Sequence, residues 1–184
     1  MNKKISIVLL PVILLACNFL FPTQEPPSQQ VLSTTMPEKT ASPKQTERTE
    51  FDGFTVVRLL PENGDLQVML ADEAQKATAQ GLLPVVEFDA TWCPPCRAIE
   101  SALNEKNDLM LKAYNGTYII KLDVDEWEWD DGRIQNFAFE GIPVYFKLDE
   151  NGKQTGEVID GGAWNEDIPE NIAPVMDKFF HGNN

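Results

Sequence analysis

Cysteine and histidine, the commonest zinc ligands and, for cysteine, the means of closing a disulfide, are scarce in this chain. Its 184 residues include three cysteines and one histidine, His181. That inventory excludes the class of small domains stapled by several disulfides. It also starves a zinc site, which needs four ligands, or three and a water. Basic residues are scarce too: 15 Lys and Arg against 29 Asp and Glu leave a formal net charge of −14. Such an acidic balance argues against nucleic acid or an anionic membrane surface as partner and says nothing of fold. The apolar run from Ile5 to Ala16 is too short to span a bilayer, and no internal repeat is visible.

What the chain does have begins at that run. Lys3 and Lys4 precede it, the charged-then-apolar plan of a secretory signal. It ends Leu14-Leu15-Ala16-Cys17, which resembles the lipobox of bacterial lipoproteins. The resemblance implies a signal peptide over residues 1–16 and a lipid on Cys17, the first residue of the mature chain. The alternative is an ordinary signal or an uncleaved anchor that happens to hold a cysteine. Residues 18–50 are rich in Pro, Gln, Ser, Thr and Glu and cannot bury enough surface to offset their ordering entropy. Residues 17–50 therefore read as a lipid-anchored, disordered linker. Some thirty such residues have a reach of ~30 Å, enough to hold a small domain clear of a surface.

Residues 51–184 have the size of one domain. Phe54 to Leu60 reads as a strand, and Leu66, Met69, Leu70, Ala74 and Ala77 recur at helical spacing, with Asp65 or Asn63 able to cap. A buried strand follows at 84–89, then a helix that breaks near Asn107, then a strand over 118–124. Residues 130–139 read as a short helix. Strands at 144–148 and 157–160, joined by Asp149-Glu150-Asn151-Gly152, read as a hairpin, and 167–180 as a last helix. Alternating strands and helices with a terminal hairpin indicate an α/β domain, its mixed sheet covered on both faces.

The chemistry concentrates at Trp92-Cys93-Pro94-Pro95-Cys96. Two cysteines separated by two residues can close a small ring if the backbone turns, and a helix N-terminus supplies the turn. Its unpaired N–H groups and positive dipole end favour a thiolate. Prolines are tolerated in a first helical turn, where their missing N–H groups have no helical partner to lose. They also remove two donors that would stabilise a thiolate, which leaves the thiol pKa toward the upper end of its range and the site a reductant rather than a strong oxidant.

Residues 51–182 resemble the thioredoxin superfamily. The resemblance rests on Val85-Val86-Glu87-Phe88, Ala90-Thr91-Trp92-Cys93-Pro94-Pro95-Cys96, Lys121-Leu122-Asp123-Val124-Asp125, Gly141-Ile142-Pro143 and the hairpin turn. The helix before the central strand is most similar to the bacterial envelope thioredoxin-like and disulfide-reductase branches. This implies a thioredoxin fold with a central mixed sheet flanked by helices on both faces and an N-terminal β-α extension. Cys93 would be the exposed nucleophile and Cys96 the more buried resolving thiol. Glu87, six residues before Cys93, would be a buried acid accepting the Cys96 proton, where relatives usually carry aspartate. Pro143 would be cis and face the cysteines, with the Ile142 backbone free to pair with an extended substrate and Trp92 an apolar contact for partners. Asp89 reads as solvent-facing and stays outside the catalytic set. Gly161 and Gly162 border the same groove or form a plain loop.

The run Asp125-Glu126-Trp127-Glu128-Trp129-Asp130-Asp131 reads as a solvated acidic turn with one indole tucked onto the domain, in preference to a recognition loop. The expectation is an extracytoplasmic, membrane-tethered thiol-disulfide oxidoreductase, reducing rather than oxidising. It needs no cofactor and no metal, and contacts no nucleic acid. Its partners are disulfide or dithiol proteins of the cell envelope, with a membrane electron donor as a further candidate. The rivals are a disulfide oxidase or isomerase, and a binding module that keeps the pair as a structural clip.

Overall fold

In a computed structural model the described residues are 46–182, apart from 130, 131, 133 and 135. The expected signal over 1–16, the lipid acceptor Cys17 and the linker as far as residue 45 lie outside them. Six strands make one sheet: β1 (Glu47–Phe51), β2 (Phe54–Arg58), β3 (Leu83–Asp89), β4 (Thr117–Asp123), β5 (Val144–Leu148) and β6 (Gln154–Asp160). Their order is β1-β2-β4-β3-β5-β6. The central trio β2, β4 and β3 is parallel, while β5 and β6 run antiparallel beyond β3, and β1 antiparallel beyond β2. β4 is buried along its whole length, as a strand covered on both faces must be.

Four α-helices among the described residues cover the sheet: α1 (Leu66–Ala79), α2 (Pro94–Asn104), α3 (Asp108–Tyr114) and α4 (Pro169–His181). Strand alternation assigns the faces. Val86 and Phe88 of β3 pack with Leu66, Leu70 and Ala77 of α1, and with Cys93 and Cys96. Val85 points the other way, toward Ile99 and Leu103 of α2, Met110 and Tyr114 of α3, and Ile172 and Met176 of α4. Glu87 and Asp89 share the Val85 face. This is the thioredoxin fold, with β2 and α1 as its expected N-terminal extension.

Three differences from expectation have physical causes. β1 begins at Glu47, four residues before the boundary placed at 51. Its pairing runs Glu47–Arg58 to Phe51–Phe54, Phe51 stacks on Phe54 with ring centroids 4.3 Å apart, and Arg48 reaches Glu73 of α1 at 2.9 Å. The polar residues that read as linker thus serve as an exposed edge strand. The helix expected over 130–139 is absent among the described residues there, which form turns and bends, with Gly132 at a φ of +91°. Finally, the first long strand ends at Arg58, and Leu59 and Leu60 continue as buried loop residues.

Candidate active site

β3 delivers the chain to the site and α2 begins there. After Asp89 the backbone turns, with Cys93 N–H bonded to the Ala90 carbonyl at 3.1 Å. Cys93 is the N-cap of α2, and Pro94 and Pro95 occupy its first helical positions. The Cys96 N–H points at Cys93 Sγ, 3.3 Å away. The two prolines therefore leave Sγ one near amide plus the helix dipole. Cys93 and Cys96 are joined as a disulfide, Cα atoms 5.3 Å apart.

Opposite the pair lies the segment before β5. The Ile142–Pro143 peptide bond is cis, and the Ile142 carbonyl oxygen is 3.7 Å from Cys93 Sγ. Gly161 N–H donates to the Pro143 carbonyl at 3.0 Å, and a Cβ on Gly161 would stand 3.2 Å from Pro143 Cδ. Gly161 therefore borders this groove. Trp92 is 55% exposed beside the disulfide, its indole N–H donating to Asp125 Oδ2 at 2.8 Å. Cys93 itself is only 1% exposed, against the expectation of an open sulfur. In the oxidised protein it packs into the same apolar cluster as Phe88 and Val144. The described part of the acidic run differs from the expected single tucked indole: Trp127 is fully buried and donates to the Leu59 carbonyl at 3.1 Å, and Trp129, half-buried, also packs on the core against Phe139.

On the sheet face toward α2, the strand registers align four residues in one row. Arg58 pairs with Lys121, Lys121 with Glu87, and Glu87 with Tyr145. Glu87 is 2% exposed, and burial is the main reason its pKa rises to about 7. Lys121 works against that rise, and the nearby Asp89 charge adds to it. Tyr145 hydrogen-bonds Glu87, and Tyr114 lies 3.1 Å from the Tyr145 hydroxyl. With its single proton given to Glu87, Tyr145 accepts from Tyr114. Burial and the Glu87 charge hold both phenols well above their ordinary pKa. The other oxygen, Glu87 Oε1, is buried without a hydrogen bond. A cleft of about 100 Å³ between α2 and the β1–β2 edge reaches Glu87 and Lys121.

Asp89 differs most from the sequence reading. It is 2% exposed instead of solvent-facing, and both its oxygens are held. Arg58 forks onto it at 3.0 and 2.8 Å, and Lys121 Nζ stands 2.7 Å from Oδ2. The missed signal was the strand period of two, which puts residue 89 on the face of residue 87.

The family model described as Thioredoxin matches residues 67–174. Thioredoxin H4 of Arabidopsis thaliana is 33% identical over 102 residues, covering 54% of this chain and 76% of that protein. A thioredoxin H-type of Ricinus communis is 35% identical over 105 residues, 57% of this chain and 80% of that one. The chloroplastic thioredoxin-like protein HCF164 of Oryza sativa subsp. japonica is 31% identical over 85 residues, 46% of this chain but only 31% of that longer protein. Among solved structures, thioredoxin NaTrxh from Nicotiana alata is 29% identical, covering 56% of this chain and 78% of that one with a TM-score of 0.40. With more than half of its length matched by the family model, the chain belongs to the thioredoxin family and is a thiol-disulfide oxidoreductase.

Proposed function

We propose that this thioredoxin is an extracytoplasmic reductase of partner-protein disulfides, tethered to a bacterial membrane through lipid on Cys17. The observation that carries the reading is the position of Cys93 Sγ at the head of α2, 3.7 Å from the Ile142 carbonyl. A partner strand laid along Ile142 would bring its disulfide to that sulfur. In the reduced enzyme, the Cys93 thiolate attacks one partner sulfur; the partner S–S bond breaks and its other sulfur leaves as a thiolate. The Cys96 thiolate then attacks Cys93 Sγ in the mixed disulfide, expelling the second partner thiolate and re-forming the Cys93–Cys96 bond. Two electrons pass from enzyme to partner. Glu87 takes the Cys96 proton, for which a carboxylate of pKa about 7 is better matched than an ordinary one.

The reducing direction is supported by Pro94 and Pro95, which leave Cys93 Sγ one nearby N–H. The tether is supported by Lys3, Lys4, the apolar run and Cys17, followed by a Pro-, Ser- and Thr-rich segment. Envelope disulfide proteins are the substrate class that follows, re-reduction coming from a dithiol electron donor in the membrane.

The test is direct. Cys93→Ser abolishes reduction of a model protein disulfide, and Cys96→Ser accumulates mixed disulfides with envelope proteins in cells. Reduction persisting in Cys93→Ser would refute the mechanism. A reduction potential near −270 mV fits the reductase, and one near −120 mV would make the protein an oxidase instead. Cys17→Ala should move the protein from the membrane to the soluble fraction.

A further inference from the structure

We propose that Asp89 is a positioning residue for the Cys93/Cys96 reaction: it draws the Lys121 ammonium away from Glu87 and so leaves the Glu87 carboxyl free to take up a proton. The inference rests on the proton-accepting role given to Glu87 above.

The geometry is a competition between two buried carboxyls for one buried cation. Lys121 lies across the parallel ladder from Glu87, and by register alone it should be the partner of Glu87. Its ammonium instead stands 2.7 Å from Asp89 Oδ2 and 3.6 Å from Glu87 Oε1. The first distance is a charge-assisted hydrogen bond; the second is too long for one. Glu87 Oε1 consequently has no donor. Asp89 can hold Lys121 because Arg58 fixes its carboxylate with two bonds, at 3.0 and 2.8 Å, in one orientation. Arg58 Nη1 also lies 4.0 Å from Asp123 Oδ2, so two carboxylates bracket it.

The remaining groups around Glu87 do not replace the diverted lysine. Tyr145 from β5 gives one hydrogen bond, backed by Tyr114 of α3. Glu100 of α2 and Glu47 of β1 line the cleft and are themselves acidic. Arg58 favours the Glu87 charge from a distance, while its two bonds go to Asp89. Asp89 thus acts on Glu87 twice, as a like charge and as the competitor for Lys121. Free of that competition, Lys121 would close on Glu87 Oε1 and pin the carboxyl in its charged form, a poor acceptor for a thiol proton.

The experiment follows the decay of the Cys93 mixed disulfide formed with a small disulfide peptide. Acid-quenched samples are resolved by mass across pH 5–9. In the wild-type enzyme the decay rate should rise through a midpoint that Glu87→Gln removes. Asp89→Asn should move that midpoint down by roughly 1–3 pH units, the usual effect of an opposite charge brought into contact. Since Asp89→Asn leaves Arg58 without its fork and the fold at risk, the double variant Arg58→Met/Asp89→Asn removes both charges together. It cancels most of the direct charge effect, frees Lys121 alone, and should still shift the midpoint down. A side chain with a merely structural role would lower the rate at every pH and leave the midpoint in place. If Glu87→Gln removes the midpoint and both Asp89 variants leave it unmoved or raised, the positioning role is wrong and the Glu87 reading survives. If Glu87→Gln leaves the profile intact, both fall.

Discussion

Folding keeps Glu87 from ionising at a pH where an exposed glutamate is fully charged, and burial is the main cause. That has a consequence for stability which needs no substrate to measure. The folded carboxyl titrates at about 7, and the unfolded one near its ordinary 4.5. Between those values the folded state binds the extra proton, so stability falls as pH rises, and above about 7 the full cost is in place. A shift of this size corresponds to about 3 kcal/mol. Glu87→Gln removes the cost while retaining most of the shape. Denaturant unfolding of the oxidised protein at pH 4 and pH 8 should show the variant gaining about 3 kcal/mol on wild type between the two. A difference that stays constant with pH would mean that Glu87 is not held neutral. The residues of this site divide by how far their partners lie along the chain. Cys93, Cys96, Trp92, Ile142 and Pro143 sit in short motifs that display their own geometry. Asp89 does not, because its partners Arg58 and Lys121 are some thirty residues away on neighbouring strands. Only the registers of β2, β3 and β4 bring them together.

At the scale of elements, local signals worked where capping and periodicity agreed. Asp65 caps α1 by accepting from the Val68 N–H, and Asn107 caps α3 through the Leu109 and Met110 amides, which is where the sequence suggested a break. Residues 130–139 show the opposite case. Ile134 and Phe137 have helical spacing, yet Phe137 and Phe139 both pack on Phe88, at 5.0 and 4.6 Å. Residues two apart cannot face one neighbour from a helix, so the tertiary demand of three aromatic rings overrides the local pattern. β1 was illegible for a different reason: an exposed edge strand has the same polar composition as a linker. Its contribution can be measured by comparing chains that begin at Thr46 and at Asp52. The shorter chain loses the β1–β2 ladder, the Arg48–Glu73 bridge and the Phe51–Phe54 stack, and it bares the β2 edge. It should melt roughly 5–10 °C lower, since each kcal/mol moves the midpoint of a domain this size by a few degrees. Its newly open edge should also promote aggregation on heating. Equal melting curves would show that β1 is ornamental to stability.

Over the whole molecule, charge is distributed more unevenly than its total suggests. From residue 51 onward the chain carries 25 acidic and 10 basic side chains, so all of the negative excess belongs to the folded domain. Part of the scarce positive charge is spent inside: Lys121 and Lys147 are buried and Arg58 is largely so, each bound to carboxylates. Those bridges take up as many carboxylates as cations, Glu87 and Asp89 among them, so the field that a partner meets is as acidic as the net charge implies, and Asp125, which anchors Trp92, places part of it beside the site. Such a field raises the local concentration of positively charged partners and slows negative ones, without altering the chemistry of exchange. Two peptides with the same disulfide, one flanked by lysines and one by glutamates, separate encounter from chemistry. At about 20 mM salt the basic peptide should be reduced on the order of tenfold faster. At about 0.5 M salt, where exposed charges a few ångströms apart are screened, the two rates should converge. A preference unchanged by salt would place discrimination in direct contacts along the Ile142 groove, and equal rates at both salts would mean that the acidic surface does not steer partners at all.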